Sequence, residues 1–447
     1  MRNMTSDPFS AASYGGLFGS ARLGELLGEQ NRIRAMVEVE AALARAEAAH
    51  GVIPEAAGSR ITAALGDFSP DLAEIGRGSH EAGVPVPALV AQLRRKVGAE
   101  HGAHVHWGAT SQDILDTALV LVLRDVVAEL SAGLEQVTES LAELAGRHRT
   151  TITLARTRMQ QAAPTTFGLK VAGWRAPLVR AATRLAELTP RLLAVQFGGA
   201  AGTLAALGET GADVMDTLAR ELGLAAPAMP WHTQRDNLCE FAGWLSLVTG
   251  ALGKFGLDVT LLAQNEIAEL RESADPSRGG SSTLPQKSNP VLSEILVALA
   301  RYNAGALSGM HQAMLHENER SGAGWALEWM VLPPMIMATG AALGHAREIA
   351  GGLVVDEERM RANIDRAQGF ELAEAASFAL AGRLPRDEAR RLVEAACREA
   401  ARSERHLIDV LAGMCEVDID WPTLREPGNY LGSAARFVDR ALDGSGS

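Results

Sequence analysis

One stretch of the chain concentrates residues able to do chemistry: Arg278-Gly-Gly-Ser-Ser-Thr-Leu-Pro-Gln-Lys-Ser-Asn-Pro290. Two glycines let its backbone fold tightly over a ligand. Lys287 and Asn289 are donors suited to an anion that gains charge as it reacts. A serine here, Ser281 or Ser282, acts as a base only if its hydroxyl is deprotonated, which requires a concentrated positive field. The GxxxxGK[ST] spacing of a phosphate-binding loop is absent. Three further polar segments interrupt the apolar pattern: His106-Trp-Gly-Ala-Thr-Ser-Gln-Asp113, Arg156-Thr-Arg-Met-Gln-Gln-Ala-Ala-Pro164 and Glu319-Arg320. Function concentrates in such loops when a rigid scaffold holds them.

The histidines do not suggest a metal. His101, His104 and His106 lack the spacing of a helical ligand pair, and His80-Glu81 and His316-Glu317 lack the second histidine of an HExxH site. They read as surface or loop residues, and no metal is expected. Three cysteines with no CxxC pair exclude a disulfide framework and fit a reducing cytoplasm. Lys plus Arg number 42 against 54 Asp plus Glu, a net charge of −12. That balance argues against nucleic-acid or polybasic membrane partners, but leaves room for an anionic substrate in a local cationic pocket. With 47% hydrophobic and 21% charged residues, the 447-residue chain is globular.

The elements that must position these loops are helical nearly throughout. Asn31–His50 is an amphipathic helix ended by Gly51 and Pro54. From Asp113 to about Ala145, Leu119, Val122, Leu123, Val126, Leu130, Leu134, Val137, Leu141 and Leu144 recur at spacings of three and four with no proline. So long a helix implies bundle packing. Thr165–Leu188, Cys239–Leu270 and Pro290–His316 are further long candidates. Trp329–Leu343 is the most apolar stretch, but it contains Pro333-Pro334 and falls short of the about 20 residues that span a bilayer, so it reads as a core helix entered after a turn. No signal-peptide core stands out near the start. The expected organisation is an N-terminal helical domain over 1–108, a central long-helix bundle over 109–355 and a C-terminal helical domain over 356–447.

The loop run resembles the signature SSxxPxKxNxxxxE of the fumarase/aspartase superfamily, ending at Glu294. The other three segments resemble that family's TSxD, RTHxQxAxP and Glu-Arg regions. Phe197-Gly-Gly-Ala-Ala-Gly-Thr203, Trp231-His-Thr-Gln-Arg-Asp236 and Asn429-Tyr-Leu-Gly-Ser433 resemble the 3-carboxy-cis,cis-muconate cycloisomerase branch. The resemblance implies an all-α fold of three helical domains, with the central bundle shared in a homotetramer and each active site built from three subunits. It also implies proton removal beside a carboxylate, a leaving group on the neighbouring carbon, a small dicarboxylate-type substrate and no cofactor. Carried over by position, Ser281 matches the base, with Ser282 open as its substitute. Lys287 and Asn289 match residues holding the substrate carboxylate and its charged intermediate. Thr110, Ser111, Gln112, Gln160 and Arg320 match substrate contacts, Glu294 a supporting acid, and His80 a histidine near the site.

Two departures stand out. The family's histidine after Arg-Thr is Arg158 here, which cannot act as a general acid but can bind carboxylate or nitro oxygens with two parallel bonds. It is either a substrate contact or an ion-pair partner of Glu294. Pro285-Gln-Lys-Ser-Asn replaces the branch's usual Pro-His-Lys-Arg-Asn. Both changes remove proton-transfer or cationic groups. They favour a leaving group that departs as a stable anion, as in nitrosuccinate giving fumarate and nitrite, over lactonisation of carboxymuconate. A retired, non-catalytic helical scaffold and a metal hydrolase are further alternatives. The intact Ser281, Lys287 and Asn289 disfavour the first, and the missing ligand motif disfavours the second.

Overall fold

The computed structural model describes residues 7–273, 279–280 and 283–443, so Arg278, Ser281 and Ser282 lie outside the described residues. Helix α1, Glu29–Ala49, buries Ile33, Met36, Val39 and Leu43 along one face, as its spacing predicts. Helix α2 runs over Ser111–Arg147. All its expected core positions are buried except Leu119, which is half-buried. Each fully buried leucine or valine contributes about 1.5–3 kcal/mol relative to exposure, which outweighs the modest propensity of a valine-rich helix.

Strands β1, Ile152–Thr157, and β2, Gln160–Thr166, then form an antiparallel hairpin with Thr157 opposite Gln160. The helical reading missed it because the turn carries no Asn-Gly or Asp-Gly signal. Helices α3, Phe167–Leu192, and α4, Asp236–Leu262, follow. After the two-residue strand β3, Leu270–Arg271, come α5, Val291–Ala313, and α6, Ala323–Gly352. A second short strand, β4, Val354–Val355, pairs with β3. The fold class is all-α, with these two small ribbons as local exceptions.

Helix α6 covers the stretch read as a core helix entered after a turn, but it begins earlier and continues through Pro333 and Pro334 without a turn there. Each proline removes a backbone donor, yet Leu332, Met335 and Ile336 are buried around them, and tertiary burial overrides the local penalty. By length and composition alone α4 and α6 could cross a membrane. About half of each apolar window, 50% and 56%, is buried inside the protein, the pattern of core helices in a bundle.

By internal contacts the chain divides into two units, residues 1–133, 181–250 and 299–343, and residues 134–180, 251–298 and 344–447. The boundaries fall inside α2 to α6, so each long helix contributes to both. In the first unit, Phe241 and Trp244 stack, and the Trp244 indole donates to the Ala181 carbonyl at 2.8 Å. Buried Asn303 donates to Thr339 at 3.0 Å. In the second unit, Phe167, Trp174 and Phe255 form an aromatic run. The C-terminal helices there close a core of Leu372, Leu380, Val393, Leu407 and Leu411.

Candidate active site

In the first unit the TSxD-like segment forms the start of α2. The Thr110 backbone N–H donates to the Asp113 carboxylate at 2.9 Å, one half of a capping box. The same buried carboxylate accepts from His232 Nε2 at 2.8 Å, Gln196 Nε2 at 3.1 Å and the backbone N–H groups of Gly198 and Gly199, both at 2.9 Å. The Phe197–Thr203 and Trp231–Asp236 segments thus wrap Asp113. Gly199 has φ +65°, and a Cβ there would come within 2.8 Å of the Gly108 carbonyl, so only glycine fits this approach. The cradle fixes the helix start, where Thr110 and Ser111 sit half-buried with no partner for either hydroxyl among the described residues. A long helix beginning under two free hydroxyls is suited to receive a carboxylate.

Gln112 is committed elsewhere. Its amide donates to Asp116 at 3.1 Å and to the His232 carbonyl at 2.8 Å, while its oxygen accepts from Arg320 Nε at 3.2 Å. Both ends of its side-chain amide are thus engaged by protein groups. Arg320, between α5 and α6, also donates to the carbonyls of Gly199 at 3.2 Å and Ala200 at 3.0 Å. Beneath them Arg235, only 2% exposed, forks onto Asp116 at 2.7 and 3.1 Å and onto Glu328 at 2.6 and 2.8 Å. Trp325 Nε1 donates to Asp116 at 3.1 Å, and Arg235 lies over the Trp231 ring. Burial works against the Arg235 cation, but Asp116 and Glu328 more than offset it and hold the guanidinium above its ordinary pKa.

In the second unit Arg158 and Met159 form the two-residue turn between β1 and β2, with φ +50° and +69°. Both therefore occupy the left-handed region, at a cost on the order of 1–2 kcal/mol per residue. Of the two readings of Arg158, the ion pair with Glu294 is not seen among the described residues. Arg156 instead makes the carboxylate pair, at 2.6 and 3.1 Å to buried Glu269, which also accepts from Thr153 and Asn363. The reason is position: Arg156 lies within β1, whereas Arg158 is at the exposed tip with Gln160 beside it. Glu294 lies exposed in the first turn of α5, where an acid complements the helix dipole.

The signature loop is pinned at its base. The backbone N–H of Asn289 donates to the Gly279 carbonyl at 2.8 Å and its side-chain amide to the same oxygen at 3.0 Å, while Gly280 bridges Ser288. Asn289 therefore spends one donor on the loop. Gly279 has φ +67°, and a Cβ there would come within 2.2 Å of the Asn289 carbonyl. Glu272 caps α5 by accepting from the backbone of Leu292 at 3.0 Å and Ser293 at 2.7 Å. Lys287 is exposed. No hydrogen bond or ion pair among the described residues joins Arg158 to Lys287, Asn289 or Glu294. His80 lies exposed at the end of the helix Leu72–Ala82, in the first unit.

Sequence reasoning missed Arg235, Glu269 and Glu272, whose roles come from contacts distant in the chain, and it read His106 only as a surface or loop residue. The ring Nδ1 of His106 lies 2.7 Å from the buried Glu40 carboxylate. Burial opposes its charge, yet Glu40 outweighs burial and raises its pKa.

The all-α scaffold of long helices is the fold that the resemblance to the fumarase/aspartase superfamily implies. Residues 20–303 match the family described as lyase, and 369–441 match the adenylosuccinate lyase C-terminus. The chain belongs to the fumarase/aspartase superfamily and is a lyase. It is 46% identical to the 3-carboxy-cis,cis-muconate cycloisomerase of Pseudomonas aeruginosa, over 95% of this chain and 94% of that one. It is 40% identical to the nitrosuccinate lyase of Streptomyces davaonensis, over 92% of this chain and 90% of that one. The crystal structure of the 3-carboxy-cis,cis-muconate lactonizing enzyme of Pseudomonas putida superposes with a TM-score of 0.89 at 42% identity, covering 96% of this chain and 97% of that one.

Proposed function

We propose that the protein is a 3-carboxy-cis,cis-muconate cycloisomerase. The observation that carries this reading is the 46% identity to a cycloisomerase over nearly the whole chain. It replaces the narrower preference for nitrosuccinate that the departures at Arg158, Gln286 and Ser288 suggest by themselves. In lactonisation one substrate carboxylate oxygen bonds to an alkene carbon, and the carbon beside another carboxylate takes up a proton, so no atom is lost. In a site assembled from several subunits, Thr110 and Ser111 of one subunit receive one carboxylate, and Arg158 and Gln160 of another receive a second. Lys287 and Asn289 hold the carboxylate on which charge develops. Ser281 or Ser282 exchanges the proton.

We further propose a cytoplasmic homotetramer whose sites combine segments of three subunits. Leu247, Leu257, Tyr302 and Met330 are exposed on the long helices, the kind of apolar surface that association covers. A working monomer in light scattering would refute the assembly.

The deciding assay offers both substrates to the purified protein. Loss of the diene absorbance of carboxymuconate with formation of lactone supports the proposal. Release of nitrite and fumarate from nitrosuccinate, with carboxymuconate untouched, supports the second reading, which the 40% identical lyase and the three substituted positions favour. With the true substrate, Ser281→Ala lowers kcat by about 10²-fold or more, as removal of a proton-transfer group does. A near-normal kcat moves the role to Ser282.

A further inference from the structure

The second unit contains a cavity of about 860 Å³ lined by Arg156, Arg158, Lys170, Trp174, Lys254 and Asp258, with the remainder largely leucine and isoleucine. Its charges do not balance. Arg156 is neutralised by Glu269. Lys254 is neutralised by Asp258, which also accepts from the Trp174 indole at 2.7 Å. Arg158 and Lys170 have no acidic partner among the described residues, so the cavity carries two surplus cations. Lys170 is half-buried in the first turn of α3. That placement costs an ammonium group water without supplying an acceptor.

We propose that Arg158 and Lys170 form a two-point subsite for a pair of carboxylates, with Lys170 a substrate-binding residue that selects polyanionic over monoanionic ligands. Two observations besides the charge count support it. The turn holds Arg158 at the cavity wall with a positive φ that an arginine rarely adopts, although the hairpin geometry itself favours it. Burial, more than any neighbouring charge, also lowers the Lys170 pKa, which an arriving carboxylate would reverse. The apolar remainder suits a hydrocarbon skeleton between the charged ends. Sequence reading gave no sign of Lys170, which lies in a helix rather than in one of the polar loops. The inference deepens the polycarboxylate reading above and rests on it only for the identity of the anion.

The test uses the full-length protein and propane-1,2,3-tricarboxylate, a saturated tricarboxylate that cannot react. Calorimetry should show binding to the wild type and a loss of about 10–100-fold in Lys170→Met, the weight of a charge-assisted hydrogen bond. Lys170→Arg should retain most of the affinity, and acetate should bind neither protein measurably. On the true substrate, Lys170→Met should raise KM by a similar factor and leave kcat within a few-fold. If Lys170→Met does not fold by circular dichroism, Lys170→Gln takes its place. Unchanged tricarboxylate affinity in a folded variant overturns the inference, as does a wild type that binds no tricarboxylate. If carboxymuconate is not turned over but tricarboxylate binding still depends on Lys170, the functional reading falls and the subsite stands.

Discussion

Two polar groups of residues, one in each unit, are held in opposite ways. In the first, Asp113 accepts five hydrogen bonds, and Arg235 is locked between two carboxylates. In the second, Arg158 sits on a strained tip and Lys170 borders a cavity, neither paired with an acid among the described residues. Satisfied polar networks rigidify and position, whereas unsatisfied cations are available to a ligand. Motif position alone does not separate the two. Gln112 and Arg320 lie in signature segments, yet much of their bonding capacity goes to the protein itself, while Lys170 lies in no signature and has no hydrogen-bond or ion-pair partner among the described residues.

The largest expected effect breaks the rigid side. Arg235→Met leaves Asp116 and Glu328 buried without their cation, at a cost of about 3–5 kcal/mol. Denaturant unfolding should show that loss. Arg158→Met should stay within about 0.5 kcal/mol of wild type in the same experiment, because no ion pair is broken at an exposed tip. A comparable loss at both positions would erase the contrast.

How much could be read from the sequence follows the same division. The long helices were legible because Leu123, Leu130, Val137 and Leu144 keep one helical face over many turns, and that face is buried. The signature residues were legible as types and order. Their partners were not. Glu269 and Arg156 are separated by 113 positions, and Arg235 and Asp116 by 119, distances over which no local period operates. The hairpin escaped because Arg158-Met159 lacks the residues that usually mark a left-handed turn. The continuity of α6 through two prolines was hidden because tertiary burial, not propensity, decides it.

A second test in the first unit is electrostatic and concerns a buried group outside the rigid network. Glu47 on α1 is buried, neither carboxyl oxygen has a hydrogen-bond partner among the described residues, and burial followed by the Glu40 charge pushes its pKa up to about 9. The folded-state pKa is raised, so its contribution to stability is fully present below the unfolded value of 4.5 and lost as pH rises toward about 9. Glu47→Gln removes that dependence. Its melting temperature should match wild type near pH 4.5 and exceed it increasingly up to pH 9, with a gain on the order of 2–4 kcal/mol at pH 8. A gain that is constant with pH would mean that Glu47 is not the titrating group.

The smallest expected change sharpens the contrast from the other side. If the hairpin tip stores strain so that Arg158 faces the cavity, a turn with the preferred residues should be more stable and less useful. Replacing Arg158→Asn together with Met159→Gly puts residues that accept positive φ at both central positions of the turn. Stability should rise by about 1 kcal/mol, since the left-handed penalty at two non-glycine positions is relieved, partly offset by the extra freedom of glycine in the unfolded chain. Affinity for the tricarboxylate should fall at the same time, because one of the two cations is gone. Met159→Gly alone separates the two effects, keeping Arg158 and relieving only its neighbour, so most of the affinity should remain. If the single change loses as much binding as the double one, the backbone conformation of the tip, rather than the Arg158 charge, is what the ligand requires.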